Sequence, residues 1–234
     1  MSEKQKTKKN DFIELEFVGK VKDGEIFDTN IPEKAKEIGL QIENKHLIIC
    51  IGQQMVLPGL DKALEDKQTD NLYTIELPPE HAFKDRKKEL IRLMPKHAFT
   101  EKKIDPRPGM TLALDQTLVK IISVSGGRIL VDFNNPLAGK DITYIFTIKR
   151  IVTDIKEKVD GILEFFLKGQ KIEYEVKDKK IIFKAQDYYK QMVEQLNLRF
   201  KDFLEYEMIL EEKKEDTETE GKQLKKIEQK EKLN

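Results

Sequence analysis

The sequence contains no tryptophan, a single cysteine and three histidines, and its charges cancel. Each shortage removes a class of reading. Cys50 cannot form an internal disulfide, and its place in the apolar run 47–51 reads as an inert buried thiol. His46, His81 and His97 are too scattered for a local metal motif. Lys and Arg number 43 against 43 Asp and Glu. With no overall field, nucleic acid and anionic membrane are not expected as partners. The opening MSEKQKTKKN has no apolar stretch, and no later run approaches the length of a membrane span, so a cytoplasmic protein is expected. There is no Walker-type loop, CxxC, HExxH or Gly-x-Ser-x-Gly. What remains is a set of apolar and aromatic residues at strand ends and turns. Such a set suits a reaction that needs surroundings more than reagents.

The stretch LIICIGQQMVLPGLDKAL, 47–64, organises the rest. An apolar strand closes on Gly52, and Met55, Val56 and Leu57 lead through Pro58-Gly59 into Leu60, Ala63 and Leu64 at helical spacing. A helix this short is unstable alone in water, so strands from elsewhere must cover it. Its turn presents Val56, Leu57 and their backbone N–H groups at the edge of the core. Apolar side chains beside a free donor make a binding floor.

At 234 residues, the chain has room for two or three small domains. DFIELEFVGKV, 11–21, alternates as a half-buried strand, Asp23-Gly24 signals a hairpin, and Ile26-Phe27 resumes the extended chain. A short helix follows Pro32, and LYTIEL, 72–77, is another strand. From Lys84 the charge rises, and short strands in IRLMP, MTLAL, LVKIISV and RILVDF suggest a small antiparallel unit set into the first fold. YIFTIKRIV, 144–152, returns to that fold. A third region reads as helix, hairpin and a longer helix over 187–210, with Tyr189, Met192, Val193, Leu196, Phe200, Phe203 and Leu204 on one face. From 211 on, the chain is a charged tail. The expected architecture is α+β: an antiparallel sheet wrapped on a short helix (1–85 with 140–153), an inserted β-rich domain (86–139), a helix–hairpin–helix extension (154–210) and the tail 211–234.

In order, VGKVKDGEIFDTN, IGQQMVLPGLDKALED, LPPEHAF and DFNNPLAGKDITYIF resemble the signature segments of FKBP-type peptidyl-prolyl cis/trans isomerases. The unit between HAF and NPLAG looks like the insert-in-flap chaperone domain of the SlyD-like branch. The third region is similar to the C-terminal extension of the long archaeal members. The resemblance spans 11–152 and implies an enzyme without cofactor or metal, acting on unfolded or proline-containing polypeptides. X–Pro bonds interconvert slowly because rotation forfeits amide resonance. The twisted transition state has a less polar carbonyl, so an apolar pocket favours it over water.

The resemblance places Phe17, Phe27, Asp28, Val56, Leu57, Leu60, Phe83 and Tyr144 in the pocket. It gives the Leu57 N–H to a substrate carbonyl, the rings and Val56 to the proline, and the polarising role to Asp28. Leu60 stands where the family often has Trp, Phe83 lacks the usual Tyr hydroxyl, and Lys84 stands where Gly is common. Taken without the resemblance, Phe17, Phe27 and Tyr144 would be core and Asp28 a helix cap. In the insert, Leu90, Ile91, Met94, Phe99, Met110 and Leu118 are candidates for catching unfolded chains, or else they fill its own core. The apolar face of the last helix either supports a homodimer or is buried within its protomer. A non-catalytic holdase or assembly factor on the same fold is the rival function.

Overall fold

In the computed structural model, residues 5–42, 46–114, 117–167 and 170–212 are described. Contacts divide the chain into Met1–Thr153 and Asp154–Asn234.

The first unit is built on β1 (Phe12–Val21), which has neighbours along both edges. On one edge it pairs antiparallel with β2 (Ile26–Thr29) and β3 (Leu47–Cys50), and on the other with β9 (Ile142–Ile151), which also carries β4 (Leu72–Leu77). This central place corrects the half-buried reading of β1. Phe12, Ile13, Glu14 and Leu15 are all buried, so both faces are covered here. The Glu14 carboxylate accepts from Arg150 Nε at 2.7 Å and meets His46, which compensates for its removal from water. Helix α1 (Pro32–Glu37) follows β2, and α2 (Pro58–Ala63) lies against β4 with Leu60 and Leu64 buried. Each helix begins with Pro at its first position, where the missing N–H costs nothing.

Between β4 and β9 the chain forms a second sheet of order β5-β8-β7-β6. Its strands are β5 (Ile91–Pro95), β6 (Thr111–Leu114), β7 (Thr117–Ser125) and β8 (Arg128–Asp132), with the one-turn helix α3 (His97–Thr100) after β5. Its core is Phe99, Leu114, Val119, Ile121, Ile129 and Val131. The two crossings into this sheet are tied together. Asn134 exchanges hydrogen bonds with the Lys87 backbone at 2.8 and 3.0 Å, Arg86 pairs with buried Asp132, and the Gly139 N–H donates to Lys84 O at 2.8 Å.

The second unit contains α4 (Ile155–Leu167), the antiparallel pair β10 (Glu173–Lys177) and β11 (Lys180–Ala185), α5 (Lys190–Leu204) and β12 (Glu207–Glu212). The helix expected over 187–210 stops early. Glu205 turns left-handed at φ 59°, and β12 then pairs parallel to β11. A short apolar run such as Met208–Leu210 fits either periodicity, and the free edge of β11 decides it. Glu211 and Glu212, expected to begin the tail, end this strand, while 213–234 lie outside the described residues. Val193, Leu196, Phe200 and Leu204 of α5 are buried within the unit, where α5 packs on β12. Among the described residues, no helix is long and apolar enough to cross a membrane.

Candidate active site

Four rings expected in the pocket form one contiguous set. Phe17 and Tyr144 have ring centroids 5.8 Å apart, Tyr144 and Phe27 6.1 Å, and Phe27 and Phe83 5.5 Å. The last two contacts are edge to face, the arrangement that ring quadrupoles favour. Phe17 lies on β1, Phe27 on β2 and Tyr144 on β9, and Phe83 follows the 3₁₀ turn Pro79–His81.

Strand register explains how these residues meet. Gly19 on β1 is opposite Asp28 on β2 and opposite Tyr144 on β9, so the three form one row across the sheet. A Cβ at Gly19 would lie 2.9 Å from Tyr144 Cε1 and 3.0 Å from Phe27 Cζ. The missing side chain is what lets both rings settle over the strand. The register between β1 and β2 slips beside Gly19, passing from the Asp28 pair to the Ile26 pair. Phe27 is the extra residue. In a regular strand, Phe27 and Asp28 would point to opposite faces, and the bulge brings both toward the Gly19 row.

Asp28 keeps a solvent-exposed side, yet the loss of water around its carboxyl raises its pKa, against a hydrogen bond from the Thr29 backbone that lowers it. The Tyr144 hydroxyl is pushed above its ordinary value by burial first and by the nearby Asp28 charge second. Tyr144 is buried at the dry side of the site, and Asp28 stands at its border with water. Asp28 is not a helix cap: α1 has no side-chain cap, and Thr29 and Asn30 bond the β1 backbone instead.

Val56 and Leu57 are half-buried and Leu60 is buried at 1% exposure. The Leu57 carbonyl accepts from the Asp61 N–H at 2.8 Å, and among the described residues its own N–H donates to no backbone acceptor. The start of α2 lies close to the segment that leads to Phe83. A Cβ at Gly59 would meet His81 O and Leu77 Cδ2, each at 2.7 Å. Lys84 adopts φ 63°, which explains why a glycine suits that position.

Of the insert candidates, Phe99 is corrected: at 0% exposure it is the centre of the insert's own core. Leu90, Ile91 and Met94 are half-buried, Met94 against that core, whereas Met110 and Leu118 are exposed. Leu93 and Ile122, which sequence reasoning passed over, are exposed with them. Ile122 occupies a bulge in β7, a displacement no periodicity reveals. Gly19 and Asp61 were also missed, since a strand glycine and a helix aspartate carry no local signal of what they touch. Among the described residues, no group of three or more His, Cys, Asp or Glu is placed to hold a metal ion.

A family model for the FKBP-type peptidyl-prolyl cis-trans isomerase matches residues 3–99, and one for the FKBP26 IF domain matches 92–137. The short-type peptidyl-prolyl cis-trans isomerase of Methanocaldococcus jannaschii is 31% identical over 61% of this chain and 90% of its own length. The chain belongs to the FKBP-type peptidyl-prolyl cis-trans isomerase family. The FKBP-type isomerase SlyD of Treponema pallidum is 26% identical over 43% of this chain and 58% of that one, in keeping with a SlyD-like FKBP. The crystal structure of AtFKBP13 aligns at 16% identity over 63% of this chain and 83% of that one, with a TM-score of 0.34.

Proposed function

We propose that this FKBP-family chain accelerates X–Pro isomerisation in the pocket of Phe17, Phe27, Asp28, Val56, Leu57, Leu60, Phe83 and Tyr144, and holds unfolded polypeptides on its inserted sheet. The contiguous ring set with Asp28 at its border carries the first part. The rings receive the proline, Leu60 closes the floor, and the Leu57 N–H is available to a substrate carbonyl. Poor hydration favours the twisted amide over the planar one, and no nucleophile or general base is required. Asp28 supplies a fixed field beside the proline.

The outer face of the inserted sheet supports the second part. Leu93 and Leu118 are 56% and 50% exposed, Ile122 is exposed at the β7 bulge, and Met110 is exposed just before β6. Exposed apolar groups on so small a sheet can repack against many chains. A homodimer through the extension would use exposed Tyr188 and Leu198, because the buried face of α5 is already covered. Light scattering of the full chain against one ending at Thr153 tests this, and equal monomer masses reject it.

The experiment for the whole reading is the refolding rate of a proline-limited protein, with catalytic amounts of the full chain or of a chain lacking 86–136. Acceleration by the full chain, with a large loss in the deletion and retained turnover of short peptides, is expected. Suppression of aggregation at stoichiometric amounts without acceleration would replace the enzyme by a holdase.

A further inference from the structure

In the loop 52–57 between β3 and α2, the Gln53 amide donates to Asn10 Oδ1 at 3.0 Å and Met55 Sδ accepts the Cys50 N–H at 3.3 Å, but one carboxylate takes two of the loop's own backbone N–H groups. Asp61 is only 5% exposed, and its two carboxylate oxygens accept the Gly52 N–H at 2.8 Å and the Gln54 N–H at 2.9 Å. Its own N–H donates to Leu57 O at 2.8 Å. A single residue therefore fastens both the entry and the exit of the loop that carries Val56 and Leu57.

We propose that Asp61 is a positioning residue for the isomerase reaction, clamping the loop so that Val56 and the Leu57 N–H stand ready before substrate arrives. The proposal rests on reading Val56 and Leu57 as pocket residues. The loop needs such a clamp, since Gly52 and Gln54 both adopt left-handed φ, 80° and 51°, and Gln54 has a side chain that disfavours it. Two N–H groups one residue apart converging on one carboxylate form a small anion nest, and charge-assisted bonds are about twice as strong as neutral ones. The chemistry is specific to aspartate. Asn would keep one acceptor and turn an NH2 toward an N–H, while Glu would bring an extra methylene into a closed site.

A merely structural aspartate would predict different numbers from a positioning one. Thr7 serves as the comparison: it is buried, its hydroxyl donates to Leu64 O at 2.6 Å and lies 3.1 Å from Lys67 O, and these partners lie outside the loop. The experiment takes the full chain, Asp61→Asn and Thr7→Val, and measures melting temperature together with kcat and KM on a proline tetrapeptide, well below the unfolding transitions. Asp61→Asn is expected to raise KM and lower kcat/KM by about tenfold, as misplacement of a binding group does. Thr7→Val should lose comparable stability and keep kcat/KM within about twofold. Equal kcat/KM losses in both variants would overturn the proposal.

Amide hydrogen exchange on the wild-type chain gives a second arm that survives a variant that fails to fold. Saturating peptide should slow exchange at Leu57 and leave Gly52 and Gln54, already clamped, unchanged. Strong slowing at Gly52 and Gln54 would mean that substrate orders the loop, and the clamp reading would end there. A wild-type chain that turns over peptide with no response at Leu57 would reject the pocket assignment itself, and the proposal with it.

Discussion

Asp28 and Tyr144 face each other across Gly19, on the two strands that flank β1 in one sheet, and Gly19 puts no side chain of its own between them. Burial, and after it the charge of Asp28, raises the Tyr144 pKa, and burial raises that of Asp28 itself. Because its folded pKa lies above the unfolded value, Asp28 binds its proton more tightly in the native state. Its ionised form is thus a penalty at neutral pH, and the penalty fades as pH falls through the folded pKa. Asp28→Asn keeps an acceptor for the Thr29 N–H. It should melt higher than wild type at pH 7, with the difference shrinking toward zero in acid, while peptide turnover drops about tenfold, or about 1.4 kcal/mol. Thermal scans across pH alongside activity assays check both; a lower melting point at pH 7 would reject this account of Asp28.

Gly19→Ala tests the space that Gly19 leaves. The added Cβ would lie 2.9 Å from Tyr144 Cε1 and 3.0 Å from Phe27 Cζ, well inside van der Waals contact, so the rings must shift. Overpacking of this kind costs about 1–3 kcal/mol. Catalysis should fall much further than stability, as read by kcat/KM against the urea midpoint.

Phe99→Ala and Leu118→Ser separate the core of the insert from its surface. Removing the buried Phe99 ring should cost about 3–5 kcal/mol of local stability. Leu118→Ser, at an exposed position, should stay within about 0.5 kcal/mol. An aggregation assay with an unfolded client should nonetheless weaken in the Leu118 variant, and more so in the double variant with Leu93→Ser.

Asn134→Ala breaks the stitch at the base of the insert. It leaves the Lys87 N–H and carbonyl without their side-chain partner, and since Lys87 is exposed and water replaces part of the loss, the cost should be about 1 kcal/mol. Hydrogen exchange at Lys87 should rise. Turnover of short peptides should hold while acceleration of protein refolding declines.

Glu205→Gly relieves the one left-handed residue that ends α5. Removing a Cβ from that conformation is worth about 1 kcal/mol, so the second unit should melt higher. Differential scanning calorimetry of the full chain reads it directly.

The sequence was most informative where period and punctuation agree. The run from Leu47 through Pro58-Gly59 is strand, turn and helix as its residues indicate; the segments around Phe17, Ile75 and Tyr144 are strands as expected, though only the one around Ile75 keeps its alternation of exposure throughout. It was silent where a long-range partner decides the outcome. The bulge that aims Phe27 depends on how β2 meets β1, and the burial of Phe99 depends on β7 and β8 arriving over it. Asp61 looks like any acidic residue in a first helical turn until the loop closes on it. The last strand was hidden because six residues with two glutamates at the end carry no period strong enough to outvote the preceding helix.

The order of strands also sets a schedule. β1 is the middle of the isomerase sheet, yet its partner β9 begins only at Ile142, after the whole second sheet has been written into the chain. Two of that sheet's three pairings, β6 with β7 and β7 with β8, join strands contiguous in sequence and close short loops, and the third, β5 with β8, spans far less chain than β1 with β9, so the second sheet can form early. On the ribosome, which releases the chain from its N-terminus, the insert can therefore fold while β1 still lacks its partner β9, and Leu93 and Leu118 can stand on a folded surface before Tyr144 reaches Phe17 and Phe27.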